Sequence, residues 1–177
     1  MIPSPRKGDS GSGPCDTIVA LSSGRPPAAV AIIRTSGSCA TAILEALTGR
    51  APPPPRRAVL RQLADPASGE PIDEALVLRF AAPKSATGED VVEYQCHGGR
   101  AVVERLLEVL TGQDGARLAE PGEFTRRALA NGRIDLTEAE GLADLIEAET
   151  EAQRKAALRV AEGGIRRQAE DWRQRLI

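Results

Sequence analysis

The sequence predicts an α+β fold, with a mixed, mainly antiparallel sheet of about five strands, flanking helices and then a long helical segment. Two observations predict this class. Over most of the chain, short runs rich in Val, Ile and Leu alternate with turns rich in Gly, Pro and Asp. Beyond Thr137, apolar residues recur instead at the three- and four-residue spacing of a helix. We therefore expect a sheet region followed by a helical region.

The composition is that of a globular protein, with 41% apolar and 27% charged residues. Residues 1–15 are rich in Ser, Gly and Pro and are predicted to be a disordered tail. No apolar run is long enough to span a membrane, so the cytoplasm is the default location. The net charge of -2 gives no overall basic field, so contact with RNA would need a local basic patch or another part of a larger protein.

The sheet region starts at Asp16 and contains five strand-like runs, and Ala116–Ala119 is a candidate for a further short strand. The turn between the third and fourth runs is rich in Gly, Pro and Asp, which favours a hairpin. The five runs are Asp16–Leu21, Ala28–Arg34, Arg57–Leu63, Glu74–Phe80 and Val91–Cys96.

Two helices are predicted within the sheet region. Ser36 or Ser38 can cap a helix over Ala40–Leu47, which Gly49 ends. The second helix, Ala101–Leu110, has a clear apolar face.

The helical region begins with a short helix over Phe124–Ala130. Thr137 and Glu140 have the spacing of a capping box, from which we predict helix to the end of the chain, with a break at Gly163–Gly164. A narrow seam of small residues needs a partner helix, which we expect from a second subunit or from sequence beyond this chain. The seam comprises Ala152, Ala156, Ala157 and Val160.

The stretch from Thr87 to Gly99 holds the main candidate site. Alternation along its strand places Glu93 and Gln95 on one face, and a half-buried Glu93 either faces water or meets a ligand that donates hydrogen bonds. Arg34 is the last residue of a predicted buried strand. There it can pair with a carboxylate, bind an anionic ligand or lie in solvent.

His97 precedes two glycines and has both a catalytic and a structural interpretation. A histidine can act as a general base near neutral pH, but no nucleophile or second carboxylate stands at a readable spacing. We therefore assign no catalytic residue and favour a structural or ligand-lining role. The three cysteines are widely spaced without a CxxC pair, so no metal site is predicted.

Five blocks, in this order and spacing, resemble the tRNA modification GTPases called MnmE or TrmE, over their N-terminal part. The resemblance runs from about Asp16 to the chain's end. The blocks are DTIVAL, AIIRTSG, PIDEALVLRF, SATGEDVVEYQCHGG and LAEPGEFTRRALANGRIDLTEAEGLADLIEAET.

The resemblance implies a folate-binding and dimerisation domain over 16–120 and the beginning of a helical domain over 121–177. The implied cofactor is 5-formyl- or 5,10-methylene-tetrahydrofolate. In the full-length family, a G domain binds GTP with Mg and K ions. The implied partners are a second copy of the chain, an FAD-dependent protein of the MnmG/GidA type and tRNA, whose wobble uridine receives a 5-carboxymethylaminomethyl group.

Carried over by motif, the family's folate-contacting residues fall on Arg34, Glu93 and Arg133. A pterin presents an amino group and a ring N–H side by side, which one carboxylate can accept in two parallel hydrogen bonds. Cys96 stands where some members have glycine, and its side chain could tighten the pocket.

The chain departs from the family because it contains no GxxxxGK[ST] loop for GTP, which implies a truncation or a fragment. The sequence therefore leaves open whether this chain is an enzyme. Two alternatives stay open beside the folate-binding module. One is a stand-alone folate-dependent one-carbon (aminomethyl) transferase, and the other is a non-catalytic dimer scaffold left by truncation.

Overall fold

The computed structural model describes the backbone of residues 16–176, with all their side chains except those at 165–167, 169, 170 and 176. The predicted tail over residues 1–15 lies outside the described residues. Within the described range the chain forms two compact units. The first comprises 16–79 and 92–118, and the second comprises 80–91 and 119–176.

The strands form one mixed sheet, with the order β3-β4-β5-β2-β1-β6 across the described residues. β1 lies antiparallel to β2 and parallel to β6, while β3 and β4 form the predicted antiparallel hairpin. This confirms the predicted α+β class, with the short β6 as a sixth strand. The elements are β1 Thr17–Leu21, β2 Val30–Ser36, α1 Ala40–Thr48, β3 Val59–Ala64, β4 Pro71–Phe80, β5 Val91–His97, α2 Arg100–Thr111 and β6 Ala116–Leu118.

Both helices of the first unit pack on one face of the sheet. The residues that alternate inward along the central strands, such as Ile33 and Tyr94, are fully buried among the apolar side chains of α1 and α2. Burial of this apolar surface is the main term that holds the unit together. The residues between them in sequence, including Arg34 and Glu93, therefore belong to the opposite face.

The predicted cap of α1 is wrong. Neither Ser36 nor Ser38 caps the helix; its N-cap is Cys39, which makes no side-chain capping bond. The Cys39 backbone N–H instead donates to the hydroxyl of Thr17 at 3.0 Å. A hydroxyl on β1 thus accepts the hydrogen bond of a backbone N–H at the start of the helix. This contact joins residues far apart in sequence, and local sequence does not reveal it. Gly49 ends the helix in the left-handed conformation, as predicted.

The second unit is helical apart from its loops. Its short first helix agrees closely with the prediction, and the predicted break at Gly163 is confirmed, since Gly163 follows α5 with φ of 75°. The helices are α3 Glu123–Ala130, α4 Leu136–Glu147, α5 Glu151–Ala161 and α6 Gly164–Leu176.

The capping box of α4 lies two residues earlier than predicted. Asp135, not Thr137, is the N-cap, and its carboxylate accepts from the Glu138 N–H at 2.8 Å. The Glu138 carboxylate accepts in return from the Asp135 N–H, also at 2.8 Å. Aspartate is a strong N-cap residue, and its charge also interacts favourably with the helix dipole, which favours the earlier start.

The prediction of helix from Thr137 onward also missed a break between α4 and α5. The chain leaves the helical conformation at Ala148, and Thr150 starts α5 through a second capping box with Gln153. The Thr-x-x-Gln signature of this box is present in the sequence.

The break allows α4 and α5 to pack against each other. A Cβ on Gly141 of α4 would lie 2.5 Å from the backbone nitrogen of Ala161 and 2.8 Å from Cγ1 of Val160. The small-residue seam of α5, which includes Val160, therefore has a partner helix within the chain. The expectation that a second subunit or further sequence must supply it is wrong.

Gly141→Ala is expected to lower the free energy of unfolding by about 2 kcal/mol, because the added methyl would force the two helices apart. Helix propensity alone predicts the opposite sign, a gain of up to about 1 kcal/mol. Urea unfolding followed by circular dichroism distinguishes the two. A stabilised variant would contradict the close packing of α4 on α5.

Candidate ligand site

The two central strands of the sheet, β5 and β2, carry the candidate site. Glu93 lies on β5 and Arg34 on β2, both on the face opposite α1 and α2. Alternation requires this placement, because their sequence neighbours Val92 and Ile33 are fully buried in the core. Sheet pairing thus brings together two residues that are 59 positions apart in sequence (93 − 34).

Arg34 and Glu93 form an ion pair, with Nη2 of the arginine 2.7 Å from Oε1 of the glutamate. The arginine side chain is 33% exposed and the glutamate 16% exposed, so the pair is only partly screened by water. Of the alternatives left open for Arg34, the structure shows pairing with a carboxylate. Glu93 likewise has a protein partner, in addition to the water or ligand that the sequence predicts for it.

Hydrogen-bonding capacity remains on both members of the pair. Within the described residues, the Nε of Arg34 is buried and has no hydrogen-bond partner. A buried N–H without a partner costs free energy, and such groups are rare in proteins. The second carboxylate oxygen of Glu93 retains acceptor capacity, so the pair offers a donor and an acceptor side by side.

Arg133 belongs to the second unit. Its Nε donates to the carbonyl of Ser85 at 3.0 Å, while the neighbouring Asn131 donates from Nδ2 to the carbonyl of Thr87 at 2.7 Å. These two bonds attach the loop before β5 to the end of α3. The Arg133 residue itself is exposed.

The same loop is further fixed by its glycine and its acids. Gly88 has φ of +82°, and a Cβ there would lie 2.9 Å from Cβ of Asn131. Arg127 of α3 donates to both carboxylate oxygens of Glu89, at 3.1 and 3.2 Å. The carboxylate of Asp90 accepts from the Ala82 N–H at 2.8 Å, a local contact that fixes the end of the loop.

His97 ends β5 and pairs with Asp73 of β4. Its Nδ1 lies 2.8 Å from Oδ1 of Asp73, and its backbone N–H donates to Oδ2, also at 2.8 Å. The aspartate is 10% exposed and the imidazole 74% exposed. Asp73 therefore orients the ring, a contact that sequence reasoning missed because it depends on the position of β4 beside β5.

Cys96 does not line the face that carries Glu93. Its side chain points into the core, where Sγ lies 3.6 Å from the carbonyl oxygen of Ala31. Burial raises the pKa of the thiol, and the negative charge of Asp73 raises it further. The expectation that Cys96 could tighten the pocket through its side chain is therefore wrong.

No cluster of three or more His, Cys, Asp or Glu side chains suited to hold a metal ion occurs among the described residues. Nor does any helix in the part of the chain that the structure describes have the length and hydropathy needed to cross a membrane.

The family described as "GTP-binding protein TrmE N-terminus" matches residues 17–133, from β1 to the loop after α3. The chain belongs to this family. The match spans the motifs that carry Arg34, Glu93 and Arg133, and it confirms the resemblance to the MnmE and TrmE proteins.

Three relatives illustrate the similarity of this TrmE N-terminal chain to longer proteins. The tRNA modification GTPase MnmE of Rhodopseudomonas palustris (strain BisB18) is 56% identical over 161 residues, which are 91% of this chain and 35% of the relative. The MnmE of Beijerinckia indica is 58% identical over 162 residues, 92% of this chain and 36% of that protein. The mouse mitochondrial 5-taurinomethyluridine-[tRNA] synthase subunit GTPB3 is 54% identical over 164 residues, 92% and 33% respectively. The chain thus spans about a third of the length of these curated relatives.

Proposed function

We propose that this chain is the folate-binding and dimerisation module of a tRNA modification GTPase, which adds a 5-carboxymethylaminomethyl group to a wobble uridine. The observation that carries the proposal is the Arg34–Glu93 pair, held at 2.7 Å on the two central strands. Membership of the TrmE family and the names of the relatives support its place in tRNA modification.

The two residues suit a tetrahydrofolate derivative, 5-formyl- or 5,10-methylene-tetrahydrofolate. The pterin ring has an amino group and an N–H that can donate in parallel to the Glu93 carboxylate. The buried Nε of Arg34 needs an acceptor, which a carbonyl oxygen of the ligand could provide. Arg34 also keeps a positive charge 2.7 Å from the Glu93 carboxylate.

The wider assignment follows the family. We propose residues 16–120 as the folate-binding and dimerisation domain, 121–177 as the beginning of the helical domain, and Arg133 as a third folate contact. A second copy of the chain, an FAD-dependent MnmG/GidA-type protein and tRNA are the proposed partners, in the cytoplasm. We assign GTP, Mg and K ions to the full-length family and not to this chain.

Calorimetric titration of the chain with 5-formyltetrahydrofolate tests the cofactor assignment. Saturable binding is expected, and the absence of heat together with unchanged intrinsic fluorescence would contradict it. Incubation with 5,10-methylene-tetrahydrofolate, analysed for products, separates the binding module from a stand-alone one-carbon transferase. Binding without turnover is the expected result.

Light scattering during size exclusion tests the dimer. A particle of about twice the chain mass of 18.7 kDa is expected. A monomer at micromolar concentration, with folate binding intact, would remove dimerisation from the proposal but leave the ligand assignment standing.

A further inference from the structure

The segment from Gly49 to Ala64 is strongly basic in a chain whose net charge is -2. It contains four arginines and no acidic residue. We call Arg50, Arg56, Arg57 and Arg61 the basic edge. Such a concentration of like charge creates a local positive potential that the net charge of the chain conceals.

The basic edge lies along one lateral edge of the sheet. β3 is the terminal strand in the strand order, and β4 is its neighbour. Arg50 and Arg61 line one groove of about 600 Å³ between the end of α1 and the hairpin. Two acids also line this groove, Asp65 and Glu74, but Asp65 is already paired with Arg105 at 2.7 Å.

Three of these arginines have no carboxylate partner in the part of the chain that the structure describes. Within the described residues, Arg50, Arg57 and Arg61 form no ion pair, whereas Arg105 and Arg127 each pair with carboxylates. A basic residue on a terminal strand can serve to prevent unwanted strand pairing. That explanation covers Arg61, but Arg50 and Arg57 lie outside the strand.

The backbone at Arg56 is also unusual. Its φ of 62° makes it the one non-glycine residue with positive φ among those described. Glycine would adopt this conformation at lower cost, so the local backbone turn does not explain the arginine. Its backbone N–H donates to the carbonyl of Arg79 at 2.8 Å, which fixes the turn against β4.

The chemistry of the basic edge fits a polyanion that is bound through its phosphate groups. Guanidinium groups bind phosphate in a bidentate manner. The segment contains no aromatic residue, so it lacks the stacking surfaces on which proteins bind unpaired bases. These features favour the phosphate backbone of a base-paired RNA over a single strand.

We propose that the basic edge binds the phosphate backbone of a base-paired stem of tRNA. The choice of tRNA rests on the proposed function, whereas the charge and position of the basic edge and the unpaired state of Arg50, Arg57 and Arg61 come from this chain. The contact is independent of base sequence and strongly dependent on salt, because it releases counterions from the RNA.

The test compares two triple variants of the full chain, using fluorescence anisotropy with a labelled, unmodified tRNA transcript. R50Q/R57Q/R61Q removes three charges from the basic edge, and R25Q/R100Q/R159Q removes three from exposed positions elsewhere. The first variant is expected to bind at least tenfold more weakly at low salt. Its slope of log affinity against log salt should fall by about three, or about one per arginine. The control variant should resemble wild type.

Four results would overturn the proposal. They are undetectable binding of the transcript by wild type, equal losses in both variants, equal binding of a single-stranded oligonucleotide, and equal binding of polyglutamate as a mimic of an acidic protein. Titration of R50Q/R57Q/R61Q with 5-formyltetrahydrofolate separates this proposal from the previous one. Unchanged folate affinity shows that the variant is folded and that the folate assignment stands on its own.

Discussion

Glu93→Gln is expected to weaken binding of 5-formyltetrahydrofolate roughly hundredfold. The substitution preserves the shape of the side chain but replaces one acceptor oxygen with an N–H donor, which would face a donor on the pterin. A hydrogen bond to a charged group contributes about 1.5–3 kcal/mol. The variant loses one of the two pterin hydrogen bonds, and the bond that remains no longer has a charged acceptor. Together these losses amount to about 3 kcal/mol, or about two orders of magnitude in affinity. Calorimetric titration measures the change.

Glu104→Gln is the matched control, because Glu104 is exposed on α2 and forms no ion pair among the described residues. It changes the net charge equally and should leave folate affinity unchanged. Thermal unfolding of both variants shows whether the fold persists, since Arg34 can still donate to the glutamine carbonyl. Wild-type affinity in a folded Glu93→Gln protein would remove Glu93 from the site.

Gly98→Ala is expected to destabilise the first unit by about 3 kcal/mol. A Cβ at this position would lie 2.4 Å from the carbonyl oxygen of Ala28 and 2.8 Å from its carbonyl carbon. These are backbone atoms, and they are held because the Ala28 N–H donates to the Gly98 carbonyl at 3.0 Å. The added methyl must therefore push the end of β5 away from the start of β2. Urea unfolding measures the loss.

Gly24→Ala provides the comparison for this substitution. Nothing lies within 4 Å of a Cβ built at Gly24, and its φ is not in the left-handed region. We expect a change within about 0.5 kcal/mol, and a small gain is possible because alanine restricts the unfolded chain. Equal stability of the two variants would show that the contact between Gly98 and Ala28 does not constrain the fold.

The sequence was sufficient to predict the sheet elements and the strands on which Arg34 and Glu93 lie. Alternation along β5 assigns Glu93 to the face opposite Tyr94, and the buried run of β2 ends near Arg34. The ion pair between them was not predictable in the same way. It depends on β2 and β5 being neighbours, and strand order is a property of the whole sheet that no local pattern specifies.

The contacts that sequence analysis missed share this origin. The contact between Asp73 and His97 requires the placement of the hairpin beside β5. The hydrogen bond from the Cys39 N–H to Thr17 likewise requires β1 to lie beside the start of α1. In each case the residue type is compatible with the contact, but its partner comes from a different element.

The helical region shows a different kind of error. The two capping boxes, at Asp135 and Thr150, are present in the sequence as local signatures. A Thr-x-x-Glu signature two residues after Asp135 competes with the first box, and local pattern alone does not separate the two. Without the break before Thr150, the region would be one long helix whose seam of small residues has no partner helix in the chain. Once the chain folds back there, Gly141 supplies the close approach that the seam of α5 requires.

The most direct test of the account is the ¹⁵N–¹H resonance of the Arg34 side-chain Nε–H during titration with 5-formyltetrahydrofolate. This group is buried beside Glu93 and has no partner within the described residues, so a ligand seated on the pair must alter its environment. We predict a saturable shift of this resonance that matches the calorimetric binding curve and disappears in Glu93→Gln. Folate binding that leaves the Arg34 resonance unmoved would place the ligand elsewhere and contradict the account.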